Sequence, residues 1–269
     1  MRWLKSYLLD GSSLRRLAQR WHVCHMTAWN RIQRTQDSRI DVGKLITLSN
    51  TKKTTILMLD GKHFRIQRRP YTLYVGLDGL TGKPLAWILL PRYELKDGYD
   101  VILKHLRLKK CRIRAIISDW HMGLIYSVSE YYPKAVHQRC AAHVLMESFR
   151  KLGGKMFLRT GYGQEIWPVM KRIALGFKQQ KYTRMYLGKM EKKYPRYIRA
   201  FKVFKKSLND IYQFEKRPNL NIPRTSNRIE NFMGVLEQRL KTFRGTKTPK
   251  TTIRIITSYI LIKYKRPTN

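Results

Sequence analysis

Twice in this chain an apolar run ends abruptly on an aspartate. Ile113 to His121 reads Ile-Arg-Ala-Ile-Ile-Ser-Asp-Trp-His, and Thr54 to Phe64 reads Thr-Thr-Ile-Leu-Met-Leu-Asp-Gly-Lys-His-Phe. Aliphatic and β-branched runs of this length read as strands, so Asp119 and Asp60 each close one. Acids are scarce here, with 17 Asp and Glu against 56 Lys and Arg. A strand-end carboxylate can be a mere turn residue beside Gly61 or Trp120. Two of the same design in so basic a chain point to shared use of the pair.

The formal net charge of +39 demands a polyanionic partner to offset self-repulsion. Basic residues occur in every segment, and no apolar run approaches the roughly 20 residues of a membrane span, so nucleic acid is the expected partner and a membrane is not. The opening Met1 to Leu9 breaks at Asp10 and Gly11 before a secretory signal develops. Cys24, Cys111 and Cys140 are odd in number and irregularly spaced, which predicts a reducing, cytoplasmic setting, with the protein associated with the nucleoid.

Leu14, Leu17, Ala18 and Trp21 give one apolar helical face, and Met26, Trp29 and Ile32 a second. The intervening His22-Val23-Cys24 makes the pair resemble a helix-turn-helix, whose second helix enters the DNA major groove. That assigns His25, Thr27, Asn30, Arg31 and Arg34 to the DNA face; a plain helical hairpin with a basic exterior is the competing interpretation. Residues 37–53 are polar and read as a linker after a DNA-binding segment at 1–36.

Strands are predicted next at Thr54 to Phe64, Tyr71 to Leu77 and Lys83 to Leu90, the last two joined by the turn Asp78-Gly-Leu-Thr-Gly82. A helix at Gly98 to Leu106, the Ile113 strand, a helix at Met122 to Tyr132 and a strand at Ala135 to Cys140 follow. Three meandering strands and then helix-separated strands is the order of a ribonuclease H-like fold, an α/β class with a mixed five-stranded sheet and flanking helices. That fold sets the first strand beside the fourth, and so Asp60 beside Asp119. Residues 54–143 form the first part of this core. Over 144–221, Lys and Arg alternate with aromatics such as Phe149, Trp167, Tyr186 and Phe204, which reads as an all-helical insertion whose rings are core rather than base-stacking platforms.

Residues 222–269 return to the core. Ile229, Phe232, Met233, Leu236, Leu240 and Phe243 recur every three or four residues, predicting an amphipathic helix from about Asn227 to Gly245. Glu230 stands in its first turn and Gly234 leaves open space one turn on; Glu230 as partner of an Asn227 cap is the duller alternative. A final helix is expected from Thr251 to Tyr264.

Phosphodiester chemistry on two divalent ions, about 3.5 to 4 Å apart, uses hard oxygen ligands. Asp60, Asp119 and Glu230 suit Mg²⁺ or Mn²⁺. Leu59-Asp60-Gly61, Ile117-Ser118-Asp119, Gln138-Arg139-Cys140-Ala-Ala-His143 and Pro223-Arg-Thr-Ser-Asn-Arg-Ile-Glu230 together resemble the successive motifs of mutator-type DDE transposases of insertion sequences. The resemblance implies catalysis and metal binding by Asp60, Asp119 and Glu230, with two ions. It also marks the C-x-x-H pair Cys140 and His143 as supporting residues; the residues themselves add Asn227, as the cap beside Glu230, and His121, two residues past Asp119, as a substrate contact or an exposed ring. Small residues commonly follow the glutamate in such enzymes, whereas here Asn231-Phe232-Met233 is bulkier.

The implied function is a DNA transposase that binds the terminal inverted repeats of its element, cleaves there, and joins the freed ends to target DNA as a homo-oligomer. Arg139, Arg224, Arg228, Arg239, Lys241 and Arg244 are expected on phosphates. A structure-specific nuclease on the same fold and a non-catalytic basic DNA-binding protein are the alternatives.

Overall fold

The computed structural model describes residues 2–48, 54–242 and 248–264. Among these, one mixed sheet has the strand order β1-β4-β3-β2-β5-β6. Strand β2 (Ile56–Ile66), β3 (Arg69–Asp78) and β4 (Pro84–Leu90) form an antiparallel meander. Strands β5 (Ala115–Ser118) and β6 (Val136–Arg139) then run parallel to β2, reached through helices α4 (Lys96–Leu108) and α5 (Met122–Tyr131). Parallel neighbours require such crossovers, which explains why the sheet turns from hairpins to helical connections after β4.

The sheet carries one strand more than the sequence predicts. Strand β1 (Ile46–Thr47) pairs with β4, Ile46 opposite Trp87 and Thr47 opposite Ala86. The Gly43 and Leu48 N–H groups also donate to Leu89 and Leu85 carbonyls. The segment expected to be a linker is therefore partly the sheet's edge. Its polar composition hides a pairing that only the open side of β4 creates; residues 49–53 lie outside the described residues.

Successive side chains of a strand face opposite ways. Leu57 and Leu59 join Tyr74, Ala86 and Ile116 under α4 and α5, where Tyr99, Ile102, Leu103 and Leu124 complete one core. Ile56 and Met58 face the other side with Val75, Trp87 and Ile117. There they meet α13 (Asn227–Thr242) and α14 (Pro249–Tyr264). The buried Trp87 Nε1–H donates to Thr257 Oγ1 at 3.0 Å, fixing α14 on β4.

Three N-terminal helices, α1 (Arg2–Leu8), α2 (Leu14–Arg20) and α3 (His25–Arg34), extend the same apolar cluster through Leu4, Leu8, Leu17, Ala28 and Ile32. The first was not apparent in the sequence. His22 in the α2–α3 turn adopts φ 48°, the left-handed conformation in which glycine is easiest, and the Cys24 sulfur caps α3 by accepting from Thr27 N–H at 3.4 Å.

Helices α6 (Ala141–Leu152), α7 (Gly154–Phe157), α8 (Gly161–Lys171), α9 (Gln180–Lys193), α10 (Ile198–Lys206), α11 (Leu208–Ile211) and α12 (Gln213–Lys216) build a separate apolar cluster. Phe157, Phe201 and Phe204 are buried in it, as the sequence suggested, and Tyr212 joins them. Tyr162, Tyr182 and Tyr186 are exposed.

Candidate active site

Three strands deliver the first components. Ile56, Leu57 and Met58 pair with Ala115, Ile116 and Ile117 in parallel register. The same register, continued two residues, sets Asp60 across from Asp119. Ser118 pairs with Arg139, and the Cys140 N–H donates to the Ser118 carbonyl at 2.8 Å, so β6 ends with Cys140 next to Asp119. Trp120 follows at φ 78°, a left-handed conformation rare for a bulky residue, with its ring 4.6 Å from that of His137. His137 is pushed down to about 4 by burial, and its Nε2 lies 2.8 Å from Ser118 Oγ.

Helix α13 contributes Glu230. Ile229, Phe232, Met233 and Leu236 are buried, and burying each is worth about 1.5–3 kcal/mol, which fixes the helix's rotation. The bulky Phe232 and Met233 thus serve the core, and Glu230 stands exposed beside the stripe. Nothing lies within 4 Å of a Cβ built on Gly234, which keeps the next turn open. The capping-box alternative takes a different form: Ser226, not Asn227, precedes the first helical residue, and its hydroxyl donates to Glu230 Oε1 at 2.6 Å. Asn227 is exposed in the first turn.

His143 faces the acids. Its Nδ1 lies 3.7 Å from Glu230 Oε1, beyond good hydrogen-bond reach, so the attraction is electrostatic. Its hydrogen bond with Cys140 raises it to about 9; burial opposes this, and the charges of Cys140, Glu230 and Asp119 add to it. Burial pushes the Cys140 thiol up, yet hydrogen bonds from His143 and from Ser226 outweigh it and leave the thiol below its ordinary range. The Ser226 N–H to Cys140 Sγ distance is 3.3 Å.

Asp60 is the most perturbed acid. Burial first, then the charges of Asp119 and Glu94, push it up to about 7, while the Gly61 N–H and His143 pull the other way. The Gly61 N–H donates to Asp60 Oδ1 at 2.9 Å, and the His121 N–H to Asp119 Oδ1 at 3.1 Å. Like charges held this close want a cation between them. The hard oxygens of Asp60, Asp119 and Glu230 suit a divalent ion such as Mg²⁺. Among the described residues, the group that offers one donor atom each within 4.8 Å of one another is Cys140, His143 and Glu230, a softer set that does not include Asp60 or Asp119.

Glu94, between β4 and α4, went unnoticed in the sequence. Its carboxylate accepts from the Tyr99 hydroxyl and lies 3.5 Å from His63 Nε2 and 3.9 Å from His121 Nδ1. It belongs to no motif; the scarcity of acids was the available signal. Ser226 could have been found from its spacing, four residues before Glu230 at a helix start.

The DNA-facing residues divide. His25, Asn30, Arg31 and Arg34 are exposed on α3, although the Arg31 guanidinium also covers the Trp3 ring at 5.0 Å. Thr27 is half-buried, with its hydroxyl 3.1 Å from the sulfur of the exposed Cys24 cap. Four arginines expected on phosphates are engaged inside the chain. Arg139 donates to Ser207 Oγ and pairs with Glu147. Arg224 donates to the Ala174 and Leu175 carbonyls, Arg228 to those of Gly79 and Leu80, and Arg239 to that of Leu9. Glu147 apart, each of these acceptors is within guanidinium reach only because the fold assembles distant segments. Lys241 is exposed and pairs with Glu237 at 2.9 Å; Arg244 lies outside the described residues.

Among solved structures, a simian T-cell lymphotropic virus intasome in complex with PP2A regulatory subunit B56 gamma shares 13% identity over 60% of this chain and 68% of that one, with a TM-score of 0.27. The HTLV-2 integrase catalytic core domain in complex with magnesium shares 12% over 46% of this chain and 89% of that one, with a TM-score of 0.26. Superposition this slight adds nothing to the register described above. No curated protein matches the sequence. The family model for transposases of the Mutator family matches residues 89–258, a span that holds Asp119, Cys140, His143 and Glu230 and begins after Asp60. With well over half its length so matched, the chain belongs to the Mutator family of transposases.

Proposed function

We propose that this transposase cleaves DNA at the ends of its element and joins the freed 3′ ends to target DNA, using Asp60, Asp119 and Glu230 as ligands for two divalent cations, Mg²⁺ or Mn²⁺. One arrangement carries the reading: the parallel register of β2 with β5 sets Asp60 across from Asp119, and the end of β6 beside Asp119 leads into Cys140 and His143, whose Nδ1 lies 3.7 Å from Glu230 Oε1. The meander followed by parallel crossovers supports a ribonuclease H-like core. The separate apolar cluster of α6 to α12 supports a helical insertion over roughly 144–221, and the exposed face of α3 supports a DNA-binding segment at 1–36.

Bound divalent cations would activate the attacking oxygen and steady the leaving one. The chain's own groups prepare that site. Asp60 and Asp119 hold their carboxylates side by side on a rigid sheet, and Ser226 orients Glu230 toward them. His143 offsets the negative charge while Cys140 keeps the imidazole protonated and in place. In the first step a water oxygen attacks phosphorus, the bond to the 3′ oxygen breaks and a 3′ hydroxyl is released. In the second that hydroxyl attacks a target phosphodiester and displaces its 3′ oxygen. Exposed Lys and Arg grip both duplexes, so affinity should fall steeply with salt. Pairing two ends implies at least a dimer.

The test is Asp119→Asn, assayed on element-end duplexes with Mg²⁺. Cleavage should vanish while DNA binding persists; full cleavage by the variant would refute the assignment. Pre-cut ends and a target plasmid separate a transposase, which joins them, from a nuclease, which does not.

A further inference from the structure

Strand β6 gives way to α6 at Cys140, and the C-x-x-H spacing brings His143 back beside it one helical turn on. The Cys140 sulfur lies 4.0 Å from Glu230 Oε1, and His143 Nδ1 lies 3.7 Å from the same oxygen. One donor atom from each of the three falls within 4.8 Å of the others, and neither Asp60 nor Asp119 joins them. Around a tetrahedral Zn²⁺, with bonds of about 2.3 Å to sulfur and about 2.0–2.2 Å to nitrogen or oxygen, such donors stand about 3.4–3.6 Å apart. The two separations to Glu230 exceed that only slightly, so an ion needs little movement to engage all three.

The surroundings hold the donors ready. The Ser226 N–H donates to the Cys140 sulfur at 3.3 Å and the Ser226 hydroxyl to Glu230 Oε1 at 2.6 Å, so one residue braces two of the three. Outer partners of this kind orient metal ligands and contribute to affinity. His143 Nδ1 is shut away from solvent without a well-formed hydrogen bond. Plain packing leaves that nitrogen unserved, whereas a cation serves it. The His143 and Glu230 side chains are 37% and 40% exposed, which gives an ion a way in, and three protein ligands leave a fourth position for water. Thiolate and imidazole suit Zn²⁺ or Co²⁺, whereas Mg²⁺ takes hard oxygens.

We infer that Cys140, His143 and Glu230 form a binding site for a thiophilic divalent cation of the Zn²⁺ class, sharing Glu230 with the proposed triad but independent of its aspartates. On binding, the ion takes the place of the proton held between Cys140 and His143. The test is titration of the full, DNA-free chain with Co²⁺, read by the thiolate-to-cobalt charge-transfer band in the near ultraviolet, with circular dichroism to establish folding. Cys24 is exposed, so C24S supplies the background and should bind as the parent does. In that background C140S should lose the band, and H143F and E230Q should each weaken binding by about 100-fold, no less than loss of an outer partner costs. D119N should match the parent. No band in C24S, or an unchanged band in folded C140S, overturns the inference. If C140S does not fold, parental affinity in H143F and E230Q overturns it instead. Weakening by D119N as great as that by E230Q puts the ion at the aspartates and overturns it as well. Cleavage by D119N reads the triad separately, so either assignment can fail while the other stands.

Discussion

Asp60→Asn should make the metal-free protein more stable at alkaline pH and leave it unchanged in acid. Asn keeps an oxygen to accept from the Gly61 N–H, so the substitution removes charge and little else. In the folded chain the carboxyl is raised from 3.8 to about 7, chiefly by burial and then by Asp119 and Glu94. The gap is about 3 pH units, or ~4 kcal/mol at about 1.4 kcal/mol per unit. The side chain keeps some contact with solvent, which screens part of this and brings the expected gain to ~2–4 kcal/mol. The sign follows from proton counting. Below pH 3.8 the carboxyl carries its proton in both folded and unfolded chains, and parent and variant are equivalent. Between 3.8 and about 7 the folded chain retains a proton that the unfolded chain has released, so parental stability falls as pH rises. Above about 7 the full penalty is present. Urea unfolding of both proteins in chelator, from acid to pH 9, should show a difference that opens across this window. Mg²⁺ at pH 8 should then close it, because the ion stabilises only the chain that binds it well. A difference that stays constant across pH would refute the buried, repelled carboxyl on which the cation site depends.

Two further substitutions probe what surrounds the acids. Ser226→Ala removes the hydroxyl that donates to Glu230 at 2.6 Å, and should lower the cleavage rate by about 10-fold with DNA affinity unchanged, as measured by single-turnover cleavage beside a binding isotherm. Arg224→Ala should destabilise the chain by ~2–3 kcal/mol, since it removes two bonds to carbonyls and a guanidinium stacked 5.1 Å from the Phe214 ring. The same variant should leave the salt dependence of DNA binding untouched, whereas Arg34→Ala should reduce that slope by about 1 if α3 lies on phosphates; a shallower slope for Arg224→Ala would return that residue to the DNA surface.

What could be read in the sequence follows from which interactions are local. Ile56 and Met58 against Leu57 and Leu59 fill two cores on opposite faces of the sheet, so β2 announces itself as an apolar run that has no polar side to show. Asp60 and Asp119 stand out as candidates because an acid is conspicuous at the end of such a run. Glu230 stands out because the helical stripe beside it is regular. By contrast β1 is two residues long and exists through the unpaired edge of β4, which no property of Ile46 or Thr47 foretells. Glu94 sits in a loop, and its partners Tyr99 and His63 are met only in the fold.

The arginines carry the more general lesson. In a chain of net charge +39 every guanidinium looks like a phosphate ligand. Yet a guanidinium is a fork of donors that serves a backbone carbonyl as readily as a phosphate oxygen. Arg228 ties the β3–β4 turn to α13, the helix of Glu230, and Arg239 ties that helix to the segment leading into α2. Part of the basic composition thus holds together the scaffold on which the acids are set. Charge alone cannot divide the arginines that grip DNA from those that fix Glu230 in place; the carbonyls within their reach do.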